Sequence, residues 1–173
     1  AQADLAAIAA IRTHEDAIRL IARPDMPVAS PIAIFVTLDE RDPDRYVVGM
    51  SHAGISLPER DYYLRDDAQF ASIRNEFRAH VARMLALGGQ SDAEAKAARV
   101  LALETEIARR HWPIEQRRER ERTYNPRSRA QIRELAARFP WDAMLEAAEM
   151  GGVQQVVVSE LSAMGPLAEL YLQ

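Results

Sequence analysis

Residues 66–89 read DDAQFASIRNEFRAHVARMLALGG. Phe70, Ile73, Phe77, Val81 and Met84 recur three or four places apart, a spacing that gathers them on one face of an α-helix. Asp66 and Asp67 stand before the run as N-cap candidates, and Gly88-Gly89 supplies the stop. A second, alanine-rich helix is expected from Ser91, with Glu94 three residues on as a capping box, running through Val100, Leu103 and Ile107 to Trp112-Pro113. Two long helices joined by a Gly-Gly turn should pack antiparallel, so the chain is mostly α.

Upstream, Ala3 to Ile11 and Asp16 to Ile21 read as short amphipathic helices, with Thr13 as an N-cap and Pro24 and Pro27 closing the second. Pro31 to Leu38 and Arg45 to Met50 are β-branched runs that predict a hairpin. Its connection is the charged six-residue segment Asp39 to Asp44, which carries Pro43. A lone hairpin is marginal in water and needs a helix or a third strand behind it. Gly54 to Pro58 reads as a loop. Downstream, Ile114 to Arg122 is almost wholly charged with alternating sign, the pattern of a solvated helix face. Tyr124-Asn125-Pro126 breaks the chain, Ser128 caps a helix through Phe139, and Pro140-Trp141-Asp142 starts another that ends near Gly151-Gly152. Val156 to Val158 is a short strand candidate, and Glu160 to Leu172 is expected to be helical despite Gly165-Pro166. The fold class expected is mostly α with a small β-hairpin: an irregular helical bundle packed on the hairpin, one domain over residues 1–173.

Length and composition agree with one soluble globular domain: 173 residues, 48% hydrophobic and 28% charged. The formal net charge is -4 and the pI about 5.6, which argues against non-specific nucleic-acid binding. Lys96 is the one lysine; the other basic residues are arginine. The absence of cysteine removes thiolate zinc, Fe–S clusters, thiol catalysis and disulfides together. No apolar run approaches the ~18 residues of a membrane span. Ala1 to Ile11 lack the basic start of a signal peptide. With no initiating Met, the chain reads as a processed product or a segment of something longer.

The residues that offer chemistry are few. His14-Glu15-Asp16-Ala17-Ile18 approaches the helical H-E-x-x-H of zinc peptidases, but Ile18 stands where the second imidazole belongs and cannot ligate a metal. Glu76 with His80, and His111 with Glu115, have one-turn spacing, yet neither pair shows a third ligand. His80 shares a face with Phe77 and Met84 and reads as a histidine at the core edge, while His52 reads as a hydrogen-bonded loop residue. There is no G-x-S-x-G elbow and no phosphate-binding glycine loop. Glu104, flanked by Leu101, Ile107 and Ala108, is expected to be partly buried and paired with an arginine or a tyrosine.

Four motifs in order carry a family resemblance. Leu57-Pro58-Glu59-Arg60-Asp61-Tyr62-Tyr63-Leu64 resembles the "LP.RDYY" segment of the neprilysin-like zinc metallopeptidases, the family of neprilysin and the endothelin-converting enzymes. Ala102 to Ala108, which includes Glu104, resembles that family's "LE..IA" helix. Thr123-Tyr124-Asn125-Pro126 and Phe139-Pro140-Trp141-Asp142 are similar to its "YN" and "F.W" signatures. The match spans about Ala29 to the end and, in its cysteine-free form, looks like a bacterial member. The resemblance implies the interior of the helical N-terminal domain that lids a thermolysin-like catalytic domain. Intact members carry H-E-x-x-H, a downstream glutamate ligand and a transition-state-stabilising histidine. None of these is found here, so no catalytic or metal-binding residue is carried over.

By the same resemblance, zinc belongs to the catalytic domain, where with a glutamate it activates a water against a scissile peptide carbonyl. The partners implied are that C-terminal catalytic domain and peptide substrates, in an extracytoplasmic setting, periplasmic or secreted. Apolar surface left open on such a segment would favour self-association. Arg60, Asp61, Tyr62 and Tyr63 are expected to form a structural corner, an ion pair with tyrosine hydroxyls that anchors the hairpin to the first long helix. Glu104, Tyr124, Asn125 and Trp141 are further structural positions. The competing reading is a stand-alone helical module that binds peptides or proteins without enzymatic activity.

Overall fold

The computed structural model describes residues 2–26 and 28–173. The helix stop expected at Pro27 lies outside the described residues. The chain begins with α1 (Gln2–Ala9) and α2 (His14–Ile21), then β1 (Ile32–Asp39) and β2 (Asp42–His52). There follow α3 (Asp61–Leu64), α4 (Ala68–Leu87) and α5 (Ala93–Arg110), then α6 (Ile114–Arg117), α7 (Arg120–Thr123) and β3 (Asn125–Ser128). The chain continues with α8 (Arg129–Leu135), α9 (Trp141–Ala147), β4 (Gln155–Val158) and α10 (Leu161–Tyr171). It divides into two compact units, Ala1–Gly54 with Trp112–Gln173, and Ile55–His111.

In the discontinuous unit the hairpin grows into a four-stranded sheet of order β1-β2-β4-β3. β4 runs parallel to β2, and β3 runs antiparallel to β4. This supplies the third strand that a hairpin needs. Ile32, Met50, Val156 and Val158 share one face of the sheet and are buried with Ile18 of α2, Ile132 of α8, Met144 and Leu145 of α9, and Met164 and Leu167 of α10. On the opposite face Phe35 lies over Gly49, its cross-strand partner; a Cβ at Gly49 would come 2.5 Å from that ring.

Several local expectations give way. The hairpin connection is two residues, Glu40 and Arg41, not six: Asp39 faces Asp42 while Leu38 faces Tyr46. Pro43 to Arg45 thus bulge from β2, where the missing proline N–H costs no ladder bond. Asn125-Pro126 does not only break the chain; it forms the edge strand β3, where a proline is tolerated. The helix capped by Ser128 has the capping box with Gln131 but ends at Leu135, not Phe139, and Ala136 turns extended. The charged segment 114–122 is two single turns, α6 and α7, rather than one solvated helix. α2 starts as read, with Thr13 and Asp16 forming a reciprocal capping box.

The continuous unit is α3 and the long hairpin of α4 and α5. Asp67 caps α4 by accepting the Phe70 N–H. At the turn, Gly89 has φ +74 and the Gln90 N–H reaches back to the Leu85 carbonyl at 2.9 Å. The cap of α5 differs from expectation. Asp92, at φ 54, begins the helix without a side-chain bond, so Ser91 stands one residue too early to form a box with Glu94. Ala82, Ala97 and Ala108 are buried, small side chains that let helices approach closely, and Ile107 is buried beside them. Phe70, Ile73, Phe77 and Val81 are half-buried, whereas Met84 is exposed. His80, read as lying at the core edge, is exposed as well, because α4 carries it toward the exposed end of the stripe.

Candidate functional site

The polar side chains singled out from the sequence gather into separate clusters, each built on a loop that needs its backbone groups satisfied. In the continuous unit, Tyr63 is buried on the single turn of α3. Its hydroxyl accepts the N–H of Ser56 at 3.1 Å and of Leu57 at 2.8 Å, and donates to the Glu104 carboxylate on α5. Glu104 also accepts the Ser56 N–H at 2.9 Å and the Ser56 hydroxyl at 2.7 Å. Burial and the carboxylate acceptor together raise the Tyr63 phenol above its ordinary pKa. Asp61 opens α3, and the Arg60 guanidinium reaches the Ala108 carbonyl at 3.4 Å. The Tyr62 ring meets Phe70 edge-on at 4.9 Å, and the Tyr62 carbonyl accepts from Arg74 at 2.8 Å. The LPERDYYL segment is thereby tied to both long helices. Tyr63→Phe is expected to lower the stability of this unit by about 1.5 kcal/mol. Hydrogen exchange at the Ser56 and Leu57 amides, accelerated relative to the amides of α5, checks it.

The hairpin tip of the discontinuous unit carries the second cluster. The Asp39 carboxylate is buried, accepts the Arg41 N–H at 2.9 Å and pairs with Arg45, and the neighbouring Tyr124 hydroxyl also favours its ionised form. Arg41 lies over the Tyr124 ring, 4.2 Å from its centroid. The Arg45 bond, then the Arg41 N–H, hold the Asp39 pKa down to about 2. A carboxylate whose folded pKa lies below its unfolded value contributes stability above the unfolded value, roughly pH 4, and loses it as pH falls through the folded one. Acid titration should therefore loosen the tip between roughly pH 4 and 2. Asp39→Asn should remove that part of the transition, read from the Arg41 and Tyr124 signals by NMR.

Two further residues anchor the following strand and helix. Asn125 donates to the carbonyls of Arg122 at 2.6 Å and Val158 at 3.0 Å. Trp141 is buried, its indole N–H bonded to the Ala136 carbonyl at 3.0 Å and its ring 4.4 Å from that of Phe139.

A third cluster had no strong signal in the sequence. Glu160, 2% exposed, accepts the Ser51 hydroxyl at 2.8 Å, the His52 N–H at 3.2 Å and the Arg117 Nε at 3.0 Å, with His52 Nε2 at 3.8 Å. It joins the end of β2, the start of α10 and the charged segment after α5. Glu160 follows a valine run and is not spaced like a ligand; only its lone acidic place between Val158 and the apolar α10 hints at burial.

The described residues do not fit a zinc site. No group of three or more His, Asp or Glu among them is placed to hold a metal ion. His14 is exposed on the first turn of α2, and Ile18 belongs to the core, 0% exposed. Glu76 and His80 are both exposed on α4. α5 ends at Arg110, so His111 and Glu115 do not share a helical face. No helix among the described residues is long and apolar enough to cross a membrane.

The two units thus comprise a small mixed sheet among short helices in one, and a long helical hairpin with the tyrosine-bearing LPERDYYL turn in the other. In the crystal structure of the Mycobacterium tuberculosis zinc metalloprotease Zmp1 with an inhibitor, a region at 30% identity matches 99% of this chain with a TM-score of 0.86. The open state of the same protein, solved by cryo-electron microscopy, matches at 28% identity with a TM-score of 0.88. Endothelin-converting enzyme-like 1 of Homo sapiens is 30% identical over 122 residues, 68% of this chain. The model of peptidase family M13 for its N-terminal part matches residues 1–173, and the chain belongs to that family. It spans 16% of the length of endothelin-converting enzyme-like 1 and 27% of the Zmp1 chain.

Proposed function

We propose that this chain is the non-catalytic lid segment of an M13 zinc metalloendopeptidase, forming part of the wall that encloses the substrate chamber. The observation that carries the reading is the match of 99% of the chain to a zinc metalloprotease of which it covers 27%, joined to the absence of a gathered ligand set among the described residues. On this reading the C-terminal catalytic domain of the same polypeptide is the partner, holds the zinc, and supplies hydrolysis of peptide substrates. The protein works outside the cytoplasm, as a periplasmic or secreted enzyme of bacterial type, and nucleic acid plays no part. The contribution of this chain's own residues is shape: the Tyr63–Glu104 cluster, with Arg60, Asp61 and Tyr62 beside it, fixes the turn before α4. Tyr124, Asn125 and Trp141 fix β3 and α9. Residues 1–173 act as one part of the lid.

Elemental analysis of the purified chain, with a peptidase assay on a mixed peptide substrate before and after added zinc, tests the reading. The expected result is no stoichiometric zinc and no chelator-sensitive cleavage by this chain, with cleavage recovered when the chain is expressed in one polypeptide with an M13 catalytic domain. Stoichiometric zinc with chelator-sensitive cleavage by the chain alone would overturn it and return attention to His14, His80 and His111.

A further inference from the structure

The arginines of the continuous unit are unequally matched. Arg65 pairs with Asp67 at 3.3 Å, and Arg109 and Arg110 both pair with Glu106. Among the described residues no carboxylate pairs with Arg74 or Arg78, which stand one turn apart on α4.

Arg74 is also held in place. Its Nη1 donates to the Tyr62 carbonyl at 2.8 Å and to the Arg65 carbonyl at 3.0 Å, which satisfies the end of α3 and orders a half-buried side chain. Both hydrogens of that nitrogen are thereby used. Nε and Nη2 make no bond among the described residues, and together they form the edge of a guanidinium that grips an oxyanion through two parallel bonds. The rotamer freedom that such a side chain loses on binding has already been lost to the backbone.

Arg74 and Arg78 border a groove of about 480 Å3 whose α5 wall carries Arg109. Ala98 and Ala102, one turn apart on α5, keep that wall low. Glu106 is the one carboxylate of the lining, and it is already taken by Arg109 and Arg110. Three arginines against one glutamate leave the lining two positive charges unbalanced.

We propose that this groove binds a doubly charged oxyanion, a phosphate or sulfate group, between α4 and α5. The Nε and Nη2 of Arg74 take two of its oxygens and Arg78 a third, with Arg109 adding charge from α5. The charge selects the ligand. A dianion matches both unpaired guanidinium groups, whereas a single carboxylate, from a second copy or from the rest of a longer polypeptide, would leave one of them unmatched. Because only the folded unit brings these arginines together, the bound anion also raises its melting temperature. The site lies wholly within Ile55–His111 and is independent of the peptidase reading.

The test is calorimetric titration of the 173-residue chain with sodium phosphate in ~0.15 M sodium chloride, which screens diffuse attraction between exposed charges. One site with Kd below ~1 mM is expected, with sulfate comparable and acetate at least ~10-fold weaker. Arg78→Gln, at an exposed position, should weaken phosphate at least ~10-fold and leave the melting curve of the free chain in place. Arg74→Lys should weaken it as much, since lysine keeps a donor for the two carbonyls but has no fork. Arg83→Gln, exposed on α4 outside the groove, should change nothing. Glycerol phosphate separates the sources: binding as tight as that of inorganic phosphate identifies an ester as the ligand, weaker binding the free ion, and both support the site. No saturable binding, equal affinity for acetate, or an equal loss in Arg83→Gln would overturn the proposal and leave an adventitious ion only. So would loss of phosphate binding when the chain is joined in one polypeptide to an M13 catalytic domain, because the arginines would then belong to the rest of that polypeptide.

Discussion

Glu160→Ala is expected to lower the stability of the discontinuous unit by about 3 kcal/mol. The side chain is buried at the meeting point of β2, α10 and α6, and its two oxygens serve the Ser51 hydroxyl, the His52 N–H and the Arg117 guanidinium. Removing it strands the buried His52 N–H and takes the better acceptor from the half-buried Ser51 hydroxyl, which keeps only the His52 carbonyl at 3.3 Å, whereas Arg117, 45% exposed, can turn to water. That escape places the loss at the low end of the range for a broken buried pair. Glu160→Gln should cost less, because an amide oxygen still accepts from Ser51. Trp112 and Trp141, the only two tryptophans, both lie in this unit. Urea unfolding followed by tryptophan fluorescence therefore reads the effect directly. A Glu160→Ala midpoint equal to that of the parent would show that the cluster holds nothing together.

Gly165→Ala should destabilise by about 2 kcal/mol, opposite in sign to helix propensity. Alanine is favoured over glycine inside a helix by ~1 kcal/mol, and Gly165 sits within α10. A Cβ there, however, would stand 2.7 Å from the Leu135 carbonyl oxygen at the end of α8. That atom is backbone and cannot rotate aside, so α10 must shift; overpacking of this kind costs ~1–3 kcal/mol. Gly152, with nothing within 4 Å of its Cβ position, is the control: Gly152→Ala should leave the midpoint unmoved. A raised midpoint for Gly165→Ala would mean that the two helices have room to part.

What the sequence discloses follows the range of the interactions involved. Caps closed within three residues, Thr13 with Asp16, Asp67 with Phe70, and Ser128 with Gln131, are readable because both partners lie in one short window. The long helical hairpin is readable for the same reason. The family resemblance adds what periodicity does not reach, the N-terminal region of a zinc peptidase. β3 escapes the residue-level reading because Asn125-Pro126 looks like a chain break until β4 offers it an edge. The two-residue hairpin turn escapes it because Asp39, Arg45 and Tyr124 organise the tip from separate places in the chain. Glu160 escapes it most fully: its partners stand 43 to 109 residues away, and no local pattern marks them. Glu104, by contrast, betrays itself through its apolar neighbours on α5, and Tyr63 is the tyrosine it meets.

The parallel pairing of β2 with β4 sets an order of events during synthesis. Met50 meets Val158 only after the whole continuous unit, Ile55–His111, has left the ribosome. The sheet must therefore close a loop on the order of 100 residues, an entropic cost that grows only as the logarithm of its length but falls due before the contacts repay it. The helical hairpin of α4 and α5 depends on near neighbours and can gather first, which shortens the effective loop that β4 must bridge. Until β4 arrives, the nascent β1–β2 hairpin exposes a bare edge on both sides. That interval is when the growing chain is most open to mispairing or to capture by a chaperone.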